Sequence, residues 1–267
     1  CLMHGMEVDY YKKLFQTIGN ILDLIEKDDM PKYLLFLENA FPYMDNYNYH
    51  KGMKEIIQEL KVLLKTKSIG TDSDRALLLD FQAALETQPE KAIKLEKNAL
   101  AQIENITADN ARLVSNLHAN LGGLYRMNGY PDLAREHMEK SISLLDQFNL
   151  LHINDSIPQI ANYAMFLTEQ QEPERGISEL QKLSGIIKEY HSDECLDYAK
   201  VQENLATIYL MTANLSQAKT HFKKAFKIYE KIWADESEMI EAKYREIQEL
   251  YPQIGFSIGK TLSGLLT

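Results

Sequence analysis

Between Leu117 and Leu145 the apolar residues fall into two stripes with one polar break between them. Leu121, Gly122 and Tyr125 make the first stripe, spaced as on one helix face, and Asn128-Gly129 interrupts it. Pro131 opens the next segment, where Ala134, Met138 and Ile142 recur at i, i+4 and i+8. Proline suits a first helical turn, because its missing N–H would have no partner there. The same alternation returns later as Leu205, Ala206 and Tyr209, a break at Asn214, then Ala218, Phe222 and Ala225. Each stretch predicts two amphipathic helices joined by a tight turn. The small residues mark where paired helices cross closely and a larger side chain would force them apart.

This unit repeats. Pro89, Pro131 and Pro173 stand 42 residues apart, and the same spacing carries Ala92, Ala134, Gly176 and Ala218. Gly122, Ala164 and Ala206 precede the last three of these, and Asn120, Asn162 and Asn204 fall in step. A fixed period of a few tens of residues marks a stacked-repeat architecture. It places helix breaks near 87–89, 129–131, 171–173 and 213–215.

Leu205-Ala206-Thr207-Ile208-Tyr209, followed by Ala218, Phe222 and Ala225, resembles the tetratricopeptide repeat: L-[GA]-x-x-Y, then A-x-x-x-F beginning nine positions after the tyrosine. Leu121–Tyr125 with Ala134 and Met138 is close to it. Ala164, Leu167, Gly176 and Leu180 depart further, and Leu79, Ala83, Ala92 and Ala99 further still. The usual tetratricopeptide unit runs about 34 residues. The longer period here is similar to the kinesin-light-chain type, whose helix A motif N-L-[GA]-x-[LI]-Y stands as Asn120–Tyr125 and Asn204–Tyr209. The extra length adds about one turn, ~6 Å, to each helix. The resemblance covers residues 72–251 and implies an all-α chain: a right-handed α-solenoid of about five helix-turn-helix repeats with an N-terminal capping helix.

The expected organisation follows. Residues 1–30 hold the capping helix, with Tyr11, Leu14, Ile18, Ile21 and Ile25 on one face. Residues 31–70 form a degenerate repeat, with Phe36, Ala40, Tyr43, Gly52 and Ile56 in helix positions. Residues 71–251 hold the 42-residue repeats, the last restarting a helix with Ile240, Tyr244, Ile247 and Tyr251 before Pro252. Residues 252–267 are a tail or a broken capping helix. Terminal units of a solenoid have one neighbour and are atypical for that reason.

Composition changes this picture little. The 267 residues are 45% hydrophobic and 25% charged, ordinary for a globular chain. No apolar run reaches the ~18 residues of a membrane span, and no signal peptide is visible. Two cysteines, Cys1 and Cys195, make no disulfide framework and suit a reducing cytoplasm. Cys1 in first place suggests a piece of a longer chain; a lipid-modified cysteine is the sharper alternative. The net charge of −10 argues against nucleic-acid binding by this segment, since phosphates call for clustered Lys and Arg.

Motifs of catalysis are weak. Gly255–Thr261 resembles a P-loop, but three residues separate its glycines where four are needed, and no strand precedes it. His137 and His221 share one repeat position, too far apart to bind one metal, and read as surface histidines of helix B. Trp233 reads as a packing residue. No metal, cofactor or catalytic constellation is expected, and the chain is not read as an enzyme.

One pattern points to binding. On the helix carrying Leu121 and Tyr125, Asn116, Asn120, Gly123 and Met127 form a separate stripe. Its equivalents are Pro158, Asn162, Met165 and Glu169, then Lys200, Asn204, Thr207 and Met211. The family resemblance implies that this stripe lines a concave groove. A side-chain amide both donates and accepts, so it can pair with the backbone of an extended peptide. Methionines add an adaptable apolar surface. The candidate groove residues are Asn116, Asn120, Met127, Asn162, Met165, Lys200, Asn204, Thr207 and Met211. The alternative is that the asparagines tether neighbouring helices or are solvated. The resemblance thus implies an interaction module for a peptide or protein segment. A second reading is the ligand-sensing arm of a larger regulator, a nucleotide-switch ATPase or a peptide-pheromone receptor. A homodimer through the terminal repeats is open.

Overall fold

The computed structural model describes residues 71–153, 156–234 and 237–250, together with Met53, Lys54, Ile57, Gln58, Leu60, Lys61 and Leu64. The expected capping helix, most of the degenerate repeat and the 252–267 tail lie outside the described residues. The described residues hold nine helices and no strand. They are α1 (Asp72–Ala84), α2 (Pro89–Leu100), α3 (Ala111–Met127), α4 (Pro131–Gln147), α5 (Ser156–Glu169), α6 (Pro173–Tyr190), α7 (Leu196–Met211), α8 (Leu215–Ile232) and α9 (Ser237–Leu250). The breaks fall where the repeated prolines put them. The fold is the all-α class of paired helices found in α-solenoids.

The turns explain the period. Gly129, Gln171 and Ala213 have φ of 77°, 64° and 59°, the left-handed region, at one repeated position. In each turn the next amide reaches back five residues: Tyr130 N to Tyr125 O (3.0 Å), Glu172 N to Leu167 O (2.9 Å) and Asn214 N to Tyr209 O (2.7 Å). This is the Schellman closure, which satisfies orphan carbonyls of the ending helix. Two residues after the left-handed one come Pro131, Pro173 and Leu215, each the first residue of its helix. Glycine occupies only the first of the three sites, so in the other two the surrounding packing imposes the conformation on a residue with a Cβ.

The chain divides into two compact units, Cys1–His137 and Met138–Thr267, with the division inside α4. In the first unit, Thr71 caps α1 reciprocally: its hydroxyl accepts from Asp74 N at 3.2 Å, and Asp74 Oδ2 accepts from Thr71 N at 2.6 Å. Met53, Ile57, Leu60, Ala76, Leu77, Phe81, Ala99, Leu113 and Leu117 then build one buried cluster. Because apolar residues recur every three or four positions, each helix offers the core a single stripe.

In the second unit α5, α6 and α7 share a cluster of Ile157, Ile160, Ala164, Leu180, Leu183, Ile187, Val201, Leu205 and Ile208. Ala206, Ala218, Phe222, Phe226 and Ile247 join α7, α8 and α9. Trp233 stacks on Tyr229 with ring centroids 4.8 Å apart, in the packing role expected of it. The close crossings lie where the small residues stand. Ala134, Ala164, Ala206 and Ala218 are fully buried. At Gly176 an added Cβ would lie 2.5 Å from Ala164 O and 2.7 Å from Thr168 Oγ1.

Candidate functional site

The asparagine stripe is fixed by helix geometry. With Leu121 and Tyr125 on α3, or Leu205 on α7, committed to the core, the residues one position before each apolar anchor turn toward the helix flank. In the first unit Asn116 is half-buried, Asn120 is exposed and Met127 is 85% exposed. Asn120 is not idle. Its Nδ2 donates to Asp80 Oδ1 on α1 at 2.8 Å and to Glu96 Oε1 on α2 at 3.3 Å. Asn120 therefore ties α3 to the preceding helix pair, the alternative role considered for these asparagines.

In the second unit the stripe is freer. Asn162 and Lys200 are exposed, Met211 is 53% exposed, and Met165, Asn204 and Thr207 are half-buried. The Thr207 hydroxyl donates to Glu203 O at 3.1 Å, within its own helix. Lys200 Nζ lies 3.9 Å from Asp197. The Asn162 and Asn204 side chains form no hydrogen bond among the described residues. Since α5 and α7 pack against each other beside α6, the two amides stand on neighbouring helices.

The tetratricopeptide-repeat family profile matches residues 156–231, the stretch running from α5 through most of α8. Residues 156–231 carry tetratricopeptide repeats. No curated protein matches its sequence. Among solved structures, BtubC (BKLC) from P. vanneervenii is similar at 18% identity, over 71% of this chain and 73% of that one, with a TM-score of 0.55. A protein of nearly identical kinesin-light-chain TPR-like repeats from Podosopora anserina is similar at 15% identity, over 73% of this chain and 96% of that one, with a TM-score of 0.56. At such identities the likeness concerns the fold: helix pairs of the tetratricopeptide kind.

The two histidines expected on the surface are half-buried packing residues. His137 on α4 meets the buried His118 on α3, Nδ1 to Nδ1 at 2.8 Å, so one ring nitrogen carries the proton and the other accepts. Tyr125, the helix A tyrosine, lies against His137 with centroids 5.5 Å apart. The later repeat matches it: His221 Nδ1 lies 2.9 Å from Gln202 Oε1, and its ring stacks on Tyr209 at 5.3 Å. Gln202, 2% exposed, also donates from Nε2 to Ser184 Oγ at 3.0 Å. With Nε2 spent as donor, Oε1 accepts from His221 Nδ1–H, and one amide links α6, α7 and α8. Burial, and secondarily the Lys224 ammonium, hold His221 below the ordinary histidine range. The period put both histidines at one position. Their partners escaped it because the matching residues on helix A, His118 and Gln202, differ in type.

Sequence reading also missed two charged networks. Lys243 on α9 reaches Glu203 on α7 at 2.8 Å, and Tyr229 on α8 donates to the other oxygen of Glu203 at 2.7 Å. Burial alone would lower the Lys243 ammonium, but the Glu203 and Glu246 carboxylates outweigh it and raise it. Burial, then the Glu203 charge, push the Tyr229 phenol well above its ordinary value. Earlier in the same unit Tyr163 donates to Glu139 at 2.8 Å, and Arg175 donates to the Tyr163 oxygen at 3.1 Å. These groups join successive helices and are spent on one another. Among the described residues no group of three or more His, Cys, Asp or Glu could hold a metal ion, and no helix is long and apolar enough to cross a membrane.

Proposed function

We propose that this chain is a protein–protein interaction module that receives an extended peptide or protein segment along the α5–α7 face of its second unit. The tetratricopeptide repeat supports a scaffold role in general. The observation favouring this face is the pair of unspent amides, Asn162 and Asn204, on neighbouring helices beside Met165 and Met211. An amide offers a donor and an acceptor to a peptide unit at once, so two of them can follow a backbone with little regard to its side chains. Methionine beside them tolerates varied apolar residues. In the first unit, by contrast, Asn120 is engaged by two carboxyls. The reading assigns the chain no reaction of its own and places its ligand among proteins, in a reducing cytoplasm.

Peptides selected from a random display library on the full chain, then titrated by fluorescence polarisation, test this. Asn162→Ala and Asn204→Ala should each weaken binding two- to tenfold, or ~0.5–1.5 kcal/mol per lost hydrogen bond. Circular dichroism should be unchanged, because Asn162 is exposed, Asn204 is half-buried and neither side chain forms a hydrogen bond among the described residues. Unchanged affinity in the double variant rejects the amide clamp. Loss of helicity would make the asparagines structural ties, as Asn120 is.

A further inference from the structure

The first unit holds a carboxyl that peptide binding does not use. Glu96 on α2 is 2% exposed, and its Oε2 is buried without a hydrogen-bond partner. Its Oε1 accepts from Asn120 Nδ2, the nitrogen that also donates to Asp80 Oδ1. The shared amide brings the Asp80 and Glu96 carboxyls close enough for each to act on the other's charge. Two carboxyls from α1 and α2 thus close on one amide from α3.

Among the described residues, Glu96 meets a second carboxyl and a neutral amide. From α1 the titratable group facing Glu96 is Asp80, and from α3 the facing group is the neutral amide of Asn120. On α2 itself, Lys97 is turned away, with Nζ over the Tyr125 ring at 5.6 Å from its centroid. No described cation pairs with Glu96. A buried carboxylate beside another is disfavoured twice, by lost hydration and by like charge. One proton removes both penalties and supplies the donor that joins the two carboxyls.

We propose that Asp80 and Glu96 form a proton-operated lock that holds α1 and α2 on α3 and loosens as pH rises. Burial, and then Asp80, push Glu96 from about 4.5 up to about 10, consistent with a protonated state at neutral pH. The native carboxyl therefore keeps its proton where the unfolded one has lost it. The stabilisation is complete below about 4.5 and is lost as pH rises toward about 10.

Hydrogen exchange followed by mass spectrometry on the full chain reads this directly. After correction for intrinsic exchange, protection of the α1 and α2 amides should fall up to tenfold per pH unit between pH 6 and 9, one proton being released on opening. Protection in α7 should stay level across the same range. Glu96→Gln keeps the shape, accepts from Asn120 and donates to Asp80 without titrating, so its α1–α2 protection should be level too. Asp80→Asn removes the neighbouring charge and should end the decline at a lower pH. Protection of α1 and α2 that is independent of pH in the parent chain overturns the proposal. So does a Glu96→Gln chain that keeps the parent slope. Should Glu96→Gln fail to fold, the shift in Asp80→Asn decides alone, and an unshifted profile there counts against the lock.

Discussion

Gly176→Ala is the sharpest test of the helix packing. A Cβ at this position would lie 2.5 Å from Ala164 O and 2.7 Å from Thr168 Oγ1, both closer than a carbon and an oxygen settle. Thr168 can rotate, at the expense of its 3.0 Å hydrogen bond to Ala164 O, but the carbonyl belongs to the α5 backbone and cannot. The helices must separate by several tenths of an ångström, and overpacking of this kind costs ~1–3 kcal/mol. Alanine also favours a helix interior over glycine by ~1 kcal/mol, so the net loss is about 0–2 kcal/mol. A second glycine removes that ambiguity. Gly185 lies in the same helix with nothing within 4 Å of an added Cβ, so Gly185→Ala carries the propensity gain alone. The difference between the two variants isolates the steric cost at ~1–3 kcal/mol. Urea unfolding followed by far-ultraviolet circular dichroism measures it. Equal midpoints would show that α5 and α6 do not approach as closely as the Ala164–Gly176 crossing requires.

Two other outcomes follow from the turns and from His221. Gln171 and Ala213 hold left-handed φ values with a Cβ in place, so Gln171→Gly and Ala213→Gly should each raise stability by about 0.5–1 kcal/mol, while Gly129→Ala lowers it by a similar amount, all read as urea midpoints. A loss on either glycine substitution would refute the strain argument. His221 is held below its ordinary value, so its contribution is complete above the unfolded histidine value of about 6.5 and is lost as pH falls. Thermal melts of the parent chain should therefore drop between pH 7 and 5, and His221→Asn should flatten that drop; equal pH profiles would remove His221 as its source.

How much of this was legible depended on whether a signal was local or paired. Helix starts were legible because Pro89, Pro131 and Pro173 each begin a helix, and proline declares that position by its own chemistry. The close crossings were legible from Ala134, Ala164 and Ala218, since smallness at a fixed period has few other causes. The left-handed turns were legible only at Gly129, because glutamine and alanine give no sign that packing holds them there. The asparagine stripe was found as a pattern, but its members differ in what they meet. Asn120 is captured by Asp80 and Glu96, 40 and 24 residues away, while Asn162 and Asn204 have no such acids opposite them. The acid pair left no trace in the sequence, because Asp80 and Glu96 are 16 residues apart on different helices and only the fold brings them to one amide.

The crossings also bear on how such a chain could diversify. In the pair α3–α4 the glycine stands on the first helix, as Gly122, with Ala134 on the second. In the pair α5–α6 the order is reversed, with Ala164 first and Gly176 second. These two pairs place one glycine and one alanine at the repeated positions, on opposite helices, whereas α7–α8 places alanine at both, as the buried Ala206 and Ala218. A helix moved singly between pairs would thus meet a partner whose spacing is set for a different number of methyl groups. Exchanging whole pairs would keep each spacing intact. Duplication and recombination of such repeats would then be constrained to cut between helix pairs, making the pair, and not the helix, the heritable unit of this architecture.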